Sequence, residues 1–529
     1  MDPLILCTAL ACGLLLKQAG QPPLLGYLAA GFILHLLGFS SGELVSSVAD
    51  AGVTLLLFTI GLKINIRDLM MPQVWGVTLA HMLLIVPVMA LLVFTGASMI
   101  DGLPEIEAKT LWVIAFGLSF SSTVFAVKTF EEKGETAALF AIVAIGILII
   151  QDLIAVLFLS ASSGKMPSPY ALALLLLIPA RPFIVRVLKF CGHGELLTLA
   201  GFVLAFGASG LFTQLSLKAD LGALMAGVLL SNTPQSREIA KTLLGFKDLF
   251  LVGFFLSIGL NGLPSVEMLL MALLLAAFVW FKPVLYFFLF TFAKLRARTA
   301  FLSSLALFNY SEFGLIVIAL LVAEGWLASE WLVMMAVALS FSYIIAAPFN
   351  NNAHYLYRRY RPLLSRFQRG DRLNSEKPAD VGDASVMVLG MGRVGSGVYE
   401  YLQPRCEGKL VGVEESALKT KQLCLEGFNV IQADANDGDF WRHLSLHNID
   451  LIMVSLTNHT ENKTVVDLIQ RTHYKGKIAV VSRFSDELDE LRAMGCIAFN
   501  LYAEAGHGFA EHVLTQLPVY AAHEEEKVR

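Results

Sequence analysis

Thirteen apolar segments follow one another between residues 3 and 350, the first near 3–20 and the last near 329–350. Nothing constrains the chain more. About 20 apolar residues cross the hydrocarbon core of a bilayer as a helix, and a helix satisfies its backbone polar groups within itself. Residues 351–529 read instead as an ordinary soluble domain. The chain is 16% charged as a whole, against about 25% for soluble domains. We therefore expect a polytopic α-helical membrane domain over 1–350, a basic segment and polar linker over 351–384, an α/β Rossmann-like domain over 385–515 and a charged tail over 516–529. The net charge of −4 averages two unlike halves and constrains no partner. The six cysteines (Cys7, Cys12, Cys191, Cys406, Cys424, Cys496) form no metal-ligand spacing and suit a reducing compartment. The first segment lacks a basic leader, so it reads as a retained span rather than a cleaved signal.

An odd number of spans puts the two termini on opposite sides. One set of loops holds fourteen Lys and Arg, the other only Lys109, Lys165 and Lys218. The basic side is cytoplasmic by the positive-inside rule, and it is the side of the soluble domain.

Within the sixth segment, Ile145–Phe158 reads IGILIIQDLIAVLF. Asp152, beside Gln151, lies in the middle of an apolar run. A carboxylate there costs on the order of 2.5–3.5 kcal/mol on insertion scales. Such a group is kept where it faces a polar cavity or a partner, which marks an ion or proton site.

The membrane half repeats itself. LLGYLAAGFI, ending at Ile33, matches DLGALMAGVLL (Asp220–Leu230), pairing Gly26 and Gly31 with Gly222 and Gly227. LLLFTIGLKI matches GFFLSIGLNG, pairing Gly61 with Gly259. Both offsets are about 197 residues, and a fixed offset separates a repeat from compositional likeness. Seven segments separate equivalent spans, so the copies are inverted in the membrane. Inverted repeats build secondary transporters, with the site at mid-depth between the copies.

By the same correspondence, segment five (FGLSFSSTVFAV) matches segment twelve (LFNYSEFGLIV). Polar residues sit at mid-depth in both: Ser119, Ser121, Ser122 and Thr123 in one, Asn309, Tyr310, Ser311 and Glu312 in the other. Ser and Thr can bond back to their own helix. With Glu312 at the matching place, broken helices are the favoured reading, their free ends available to a cation. Lys282 is the one charge of segment eleven, deep in FVWFKPVLYFF. It reads as a buried lysine rather than a snorkelling one, pairing with an acid or capping the ends of broken helices. Asp50, Asp220, His35 and His81 lie near segment ends and are expected to be solvated.

These motifs resemble the Kef-type branch of the monovalent cation:proton antiporter-2 family. The likeness rests on LLGYLAAG, FTIGLKI, FSSTVFAVKTFEEKG with IIQDLIAV, LGALMAGVLLSNTPQSREI, FFLSIGLN and NYSEFGLIV, and covers almost all of 1–350. The Q-D pair is fairly specific to that branch. The resemblance implies a Na⁺/H⁺ antiporter-like fold and exchange of K⁺ or Na⁺ for H⁺. Asp152 would be the binding carboxylate, Gln151 its neutral neighbour and Lys282 the basic residue of the crossing region. It also implies a homodimer in the bacterial inner membrane. Asp152 can hold a proton or a cation but not both strongly. An amide at 151 fits one proton per cation, without net charge.

In the soluble half, strand 385–389 runs into Gly390-x-Gly392-x-x-Gly395 and then a helix, and a second strand ends in Glu414. Strand, glycines, helix, strand and acid in this order form a dinucleotide-binding fingerprint; a Rossmann fold that has lost its ligand is the alternative. Arg393 and Val394 lie between the glycines, while Asp434, Ala435, Asn436, Thr457 and Asn458 close later strands. The unit resembles the RCK, or KTN, lobe of potassium-transport regulators. That likeness implies NAD(H), AMP or another adenine nucleotide as regulatory ligand, with Arg393 facing the phosphates. No residue set for hydride transfer is visible, so no enzyme is expected, and no nucleic-acid partner. Glutathione-gated Kef proteins carry an acidic segment after the ninth span. Here that loop reads SREIAKTLLGFK, so glutathione gating and an ancillary oxidoreductase are not expected. A nucleotide-gated cation channel is the alternative function, but no TVGYG-like filter is present.

Overall fold

A computed structural model describes residues 3–515 apart from 20, 41, 64–70, 104–105, 134, 137, 163–173, 175–176, 216–218, 232, 261, 324, 370–380, 407, 445 and 457. It divides into two compact units. The first comprises Met1–Thr129 and Phe140–Asp371, the second Phe130–Leu139 and Arg372–Arg529.

Among the described residues, the regular structure of the first unit is helical. In chain order it holds α1 (Pro3–Gln18), α2 (Pro23–Leu36), α3 (Glu43–Lys63), α4 (Pro72–Met99), α5 (Ala108–Ser119), α6 (Thr123–Lys133), α7 (Leu139–Ser162) and α8 (Leu177–Phe190). The series continues with α9 (Glu195–Gln214), α10 (Ala219–Leu230), α11 (Pro234–Leu260), α12 (Val266–Phe278), α13 (Phe281–Phe292), α14 (Ala297–Ala306), α15 (Glu312–Ala323), α16 (Ser329–Asn351) and α17 (Ala353–Leu364). Among the described residues, five helical stretches are long and apolar enough to cross a membrane: Pro72–Met99, Ala108–Phe130, Glu195–Gln214, Val266–Phe292 and Ser329–Asn351. Many large side chains on their outer faces, such as Leu83 and Phe292, point away from the protein, as lipid-facing residues do.

Three apolar segments are each divided into two helices, for different reasons. Between α12 and α13, Pro283 lacks an N–H and crowds the carbonyl four residues back, at Val279. The backbone there stays helical, so the joint is a kink. Between α5 and α6, Phe120 is extended and Ser122 Oγ accepts the Phe125 N–H at 3.1 Å. Between α14 and α15, Ser311 Oγ accepts the Phe313 N–H at 3.1 Å. Both serines cap the helix that follows, so these two joints are true breaks.

The repeat is visible in the packing. An added Cβ on Gly31 (α2) would lie 2.8 Å from the Gly259 Cα (α11), and one on Gly227 (α10) 2.8 Å from the Gly61 Cα (α3). Gly26 meets the Cys12 backbone of α1, and Gly222 meets the Ala208 backbone of α9. Each glycine contact of the first copy thus recurs in the second with its elements exchanged, as two inverted copies require. No side chain fits where backbones approach this closely. Gly61→Ala is therefore expected to lower the thermal midpoint of the detergent-solubilised protein, at a cost of about 1–3 kcal/mol. Gly207→Ala, whose Cβ meets nothing within 4 Å, is expected to leave it unchanged.

The second unit is doubly wound. Its strands are β1 (Val386–Leu389), β2 (Leu410–Glu414), β3 (Val430–Gln432), β4 (Leu451–Val454), β5 (Lys477–Ser482) and β6 (Ile497–Asn500). They form one parallel sheet in the order β3-β2-β1-β4-β5-β6. Helices α18 (Arg393–Leu402), α19 (Ala417–Leu425), α20 (Gly438–His443), α21 (His459–Gln470) and α22 (Ser485–Ala493) make the crossovers, and α23 (Leu501–Thr515) follows. The strand order reverses at β1 and β4, where ligands bind in such sheets.

Candidate functional site

Four helix ends meet at the centre of the membrane unit. The C-terminal ends of α5 and α14 bring carbonyls that lack an intrahelical partner, and the N-terminal ends of α6 and α15 bring N–H groups that lack one. The first pair carries partial negative charge and the second partial positive charge. The side chains match this pattern. Lys282 is fully buried, and its Nζ donates to the Phe120 carbonyl at 2.6 Å and the Asn309 carbonyl at 2.7 Å. The ammonium thus holds a carbonyl from each broken helix. On the positive side, Glu312 is the first residue of α15, and Thr123, the first of α6, donates from Oγ1 to Asp152 Oδ2 at 2.8 Å.

Asp152 and Gln151, on α7, are both buried. Gln151 Oε1 accepts the Ser121 N–H at 3.0 Å, and its Nε2 donates to the Tyr286 hydroxyl at 2.9 Å. Ser121 Oγ donates to the Leu307 carbonyl at 2.9 Å, and the Ser122 N–H to Asn309 Oδ1 at 2.7 Å, so the two breaks are cross-linked directly. Two carboxylate oxygens are left over. Asp152 Oδ1 and Glu312 Oε1 are buried without a hydrogen-bond partner among the described residues, while Glu312 Oε2 accepts from the Tyr343 hydroxyl at 3.3 Å. A buried carboxylate oxygen lacking a donor is unfavourable, and a bound proton or hard cation is what satisfies it.

The structure corrects two expectations. His81 is not solvated. It is fully buried on α4, stacked on Tyr286 with ring centroids 3.7 Å apart, and neither ring nitrogen has a partner among the described residues. The two carbonyls of the crossing are not free for a cation, because Lys282 takes both. His35 is half-buried and bonds the Leu260 carbonyl through Nδ1 at 2.8 Å; Asp50 is exposed. The side chain of Asp220 lies outside the described residues. Sequence reasoning also missed Tyr286, which is one aromatic among several, and the bridging part of Asn309.

In the second unit the glycines form an open turn. Gly390 has φ +80°, a conformation that suits glycine. A Cβ on Gly395 would strike the Gly390 carbonyl, whereas nothing stands within 4 Å of one on Gly392. The turn therefore packs tightly on one side and leaves backbone open at the N-terminus of α18, a place suited to a pyrophosphate. Arg393, the first residue of α18, is exposed there and Val394 half-buried. Ser455 Oγ, buried beside Gly395, has no partner among the described residues, a feature no motif announced. Glu414 ends β2, but Lys419 Nζ at 3.0 Å and the Ser416 N–H at 3.1 Å already engage its carboxylate. Asp434 Oδ1 accepts the Asn436 N–H at 2.8 Å, and the Ala435 carbonyl accepts from Trp441 Nε1 at 2.7 Å. Asn458 caps α21 through the Thr460 N–H, and Thr457 lies outside the described residues. These features fit a dinucleotide cradle.

Next to it, burial and the charges of Asp434 and Glu135 push the Glu461 carboxyl up to about 7 from 4.5. Between those values the folded state holds a proton the unfolded chain lacks, so stability falls as pH rises through that window. Glu461→Gln removes the titration. The variant is expected to melt with the wild type near pH 4.5 and above it beyond pH 7, read as thermal midpoints across that range.

The family model for the sodium/hydrogen exchanger transmembrane domain matches residues 5–350, and that for the TrkA-N domain residues 386–499. The chain is 26% identical to the "Putative K(+) efflux antiporter KefB" of Alkalimonas amylolytica, over 96% of this chain and 80% of the relative. It is 27% identical to the "Putative cation/proton antiporter YbaL" of Escherichia coli K12, over 90% of this chain and 92% of the relative. Among solved structures, the TrkA-N domain of inner membrane protein ybaL from E. coli is 20% identical over 25% of this chain and 98% of its own, with a TM-score of 0.23. The sodium proton antiporter MjNhaP1 from Methanocaldococcus jannaschii is 12% identical over 70% of this chain and 98% of its own, with a TM-score of 0.45.

Proposed function

The chain belongs to the sodium/hydrogen exchanger family and joins its cation/proton antiporter domain to a TrkA-N domain, and on that premise we propose that it exchanges K⁺, or Na⁺, for H⁺ by alternating access at Asp152. The observation that carries this reading is the pair of unpartnered oxygens, Asp152 Oδ1 and Glu312 Oε1, buried between the positive ends of two half-helices. Either occupant satisfies them, and the two compete. A proton removes the charge that attracts the cation, and a cation disfavours protonation. Lys282 holds the negative ends together, which leaves the cation to carboxylate and hydroxyl oxygens, Thr123 Oγ1 foremost. Ser121, Ser122 and Ser311 shape the breaks around it. Gln151, tied to the Ser121 N–H and Tyr286, couples α7 to the crossing without adding a second titratable acid. That arrangement suits one proton per cation.

The C-terminal domain is the regulator in this reading. NAD(H) or another adenine nucleotide would lie along Gly390–Gly395, its phosphates at the α18 N-terminus with Arg393 and its ribose at Glu414, where it has to compete with Lys419. A nucleotide shifts the transporter only so far as it binds the two conformations unequally. The resemblance adds a homodimer with the C-terminal domain in the cytoplasm of a bacterial inner membrane.

Proteoliposomes loaded with a pH-sensitive dye and held under a pH gradient test the exchange. Addition of K⁺ or Na⁺ is expected to dequench the dye, without a current that follows an imposed voltage. Cation flux that moves no protons would overturn the reading.

A further inference from the structure

The basic stretch after the last span holds none of the residues placed above in the exchange or nucleotide site, yet its placement is specific. The Tyr310 N–H bonds Ser342 Oγ at 3.1 Å, which sets Ser342 of α16 level with the break between α14 and α15, at mid-depth. Asn350 lies eight residues further along α16, about 12 Å at 1.5 Å per residue. The hydrocarbon half-thickness is about 15 Å, so α17 begins near the edge of the apolar core.

It then stays against α14. Asn350 Nδ2 donates to the Leu305 carbonyl at 2.8 Å before α17, the Tyr357 ring meets Phe301 along it, and the Ala297 N–H donates to Gln368 Oε1 at 3.1 Å beyond it. Leu305 and Ala297 are eight residues apart on one helix, so α17 and the 3₁₀ turn that follows (Ser365–Phe367) rise by no more than about 12 Å. The segment therefore stays within one leaflet, and its far end, beside Ala297, reaches headgroup level.

Its surface suits that level. Ala353 and Tyr357 are buried against the protein. Leu356, Tyr360 and Leu363 follow one another at i, i+4 and i+7, a separate apolar line. Tyr360 and Leu363 are each 52% exposed, and Arg358, Arg359 and Arg366 are exposed beside them. Aromatic and aliphatic side chains next to arginines are how an interfacial helix meets anionic lipid. Charge complementarity names the occupant: a monoanionic phosphodiester headgroup whose acyl chains lie against the apolar line.

We propose that α17 is a docking site for anionic phospholipid, held by Arg358, Arg359 and Arg366 and seated on Leu356, Tyr360 and Leu363.

The test uses the full chain, delipidated in detergent and titrated with dioleoyl phosphatidylglycerol or dioleoyl phosphatidylcholine, with bound lipid counted by native mass spectrometry. The wild type is expected to retain phosphatidylglycerol in preference. Each arginine near a membrane surface contributes about a fivefold change in affinity, so Arg358→Gln with Arg359→Gln is expected to weaken phosphatidylglycerol binding by about 25-fold and to leave phosphatidylcholine unchanged. Arg358→Lys with Arg359→Lys is expected to restore most of it, and millimolar glycerol phosphate is expected not to displace the lipid. Equal retention of the two lipids, or equal phosphatidylglycerol affinity in wild type and the glutamine variant, would overturn the proposal. So would phosphatidylglycerol binding that glycerol phosphate abolishes, or preference that appears only after removal of the charged tail 516–529, which would give the face to that tail. The readout needs no transport, so it stands or falls apart from the exchange reading.

Discussion

Asp152→Asn is expected to reduce cation-dependent proton movement in proteoliposomes to the level of empty vesicles, with the fold intact. Asparagine has the volume of aspartate and still offers an oxygen to Thr123 Oγ1, which now bonds Asp152 Oδ2 at 2.8 Å. What it cannot do is bind and release a proton, or present negative charge to a cation. Its second atom, an NH₂ where Oδ1 now has no partner among the described residues, becomes a donor facing the region of Glu312. The buried carboxylate is itself costly, so the thermal midpoint of the variant is expected to equal or exceed that of the wild type. Stability retained and exchange lost is the signature of a site residue, and fluorescence melting beside the dye assay measures both. A variant that unfolds would place Asp152 among structural residues. One that still exchanges would move the chemistry to Glu312, the other buried carboxylate with an unpartnered oxygen. Asp152→Glu separates charge from position: the longer side chain is expected to keep some exchange, because it still titrates, at a lower apparent affinity for the cation.

How much of this was legible beforehand depends on what kind of signal each residue sends. Asp152 and Lys282 stand out because a charge in an apolar run is expensive wherever the helix lies, so no tertiary information is needed to single them out. The repeat was legible for a related reason. Gly31, Gly61, Gly227 and Gly259 sit where backbones touch, and no other residue serves there. The breaks at Ser122 and Ser311 were legible as polar clusters at matching depth. His81 was not legible. A histidine is cheap at a segment end and its cost is modest when neutral, so its depth depends on where α4 sits along the membrane normal. That helix runs for 28 residues, longer than a perpendicular span needs, and the apolar run alone does not fix which 20 lie in the core. Tyr286 and Asn309 act through partners distant in sequence, Gln151 and His81 for the first, Ser122 and Lys282 for the second. Only the packing of α4, α5, α7, α13 and α14 brings these together. In the C-terminal domain the glycine turn and Glu414 were legible through spacing. The competition of Lys419 for Glu414 was not, because it depends on side-chain placement one turn into α19.

Lys282 raises the sharper question, since a buried lysine at the crossing of two broken helices can be read as a clamp or as a proton carrier. Its two short bonds to the Phe120 and Asn309 carbonyls favour the clamp, and the two readings predict different orders among variants. Lys282→Met fills the space but donates nothing, leaving two buried carbonyls without partners at about 1–3 kcal/mol each. It also removes the charge that matches the negative ends of α5 and α14. This variant is expected to lose exchange entirely and to melt well below the wild type. Lys282→Gln keeps two N–H donors on a slightly shorter side chain. If the lysine is a clamp, the glutamine is expected to recover a large part of the lost stability and some exchange, because Asp152 and Glu312 still titrate. If the lysine must itself give up a proton in each cycle, glutamine and methionine are equally inactive whatever their stabilities. Thermal midpoints paired with dye dequenching across the three proteins decide between them. Equal midpoints for the methionine and glutamine variants would show that the bonds to Phe120 and Asn309 do not hold the crossing together, and the site would then have to be organised by the Ser121, Ser122 and Asn309 cross-links alone.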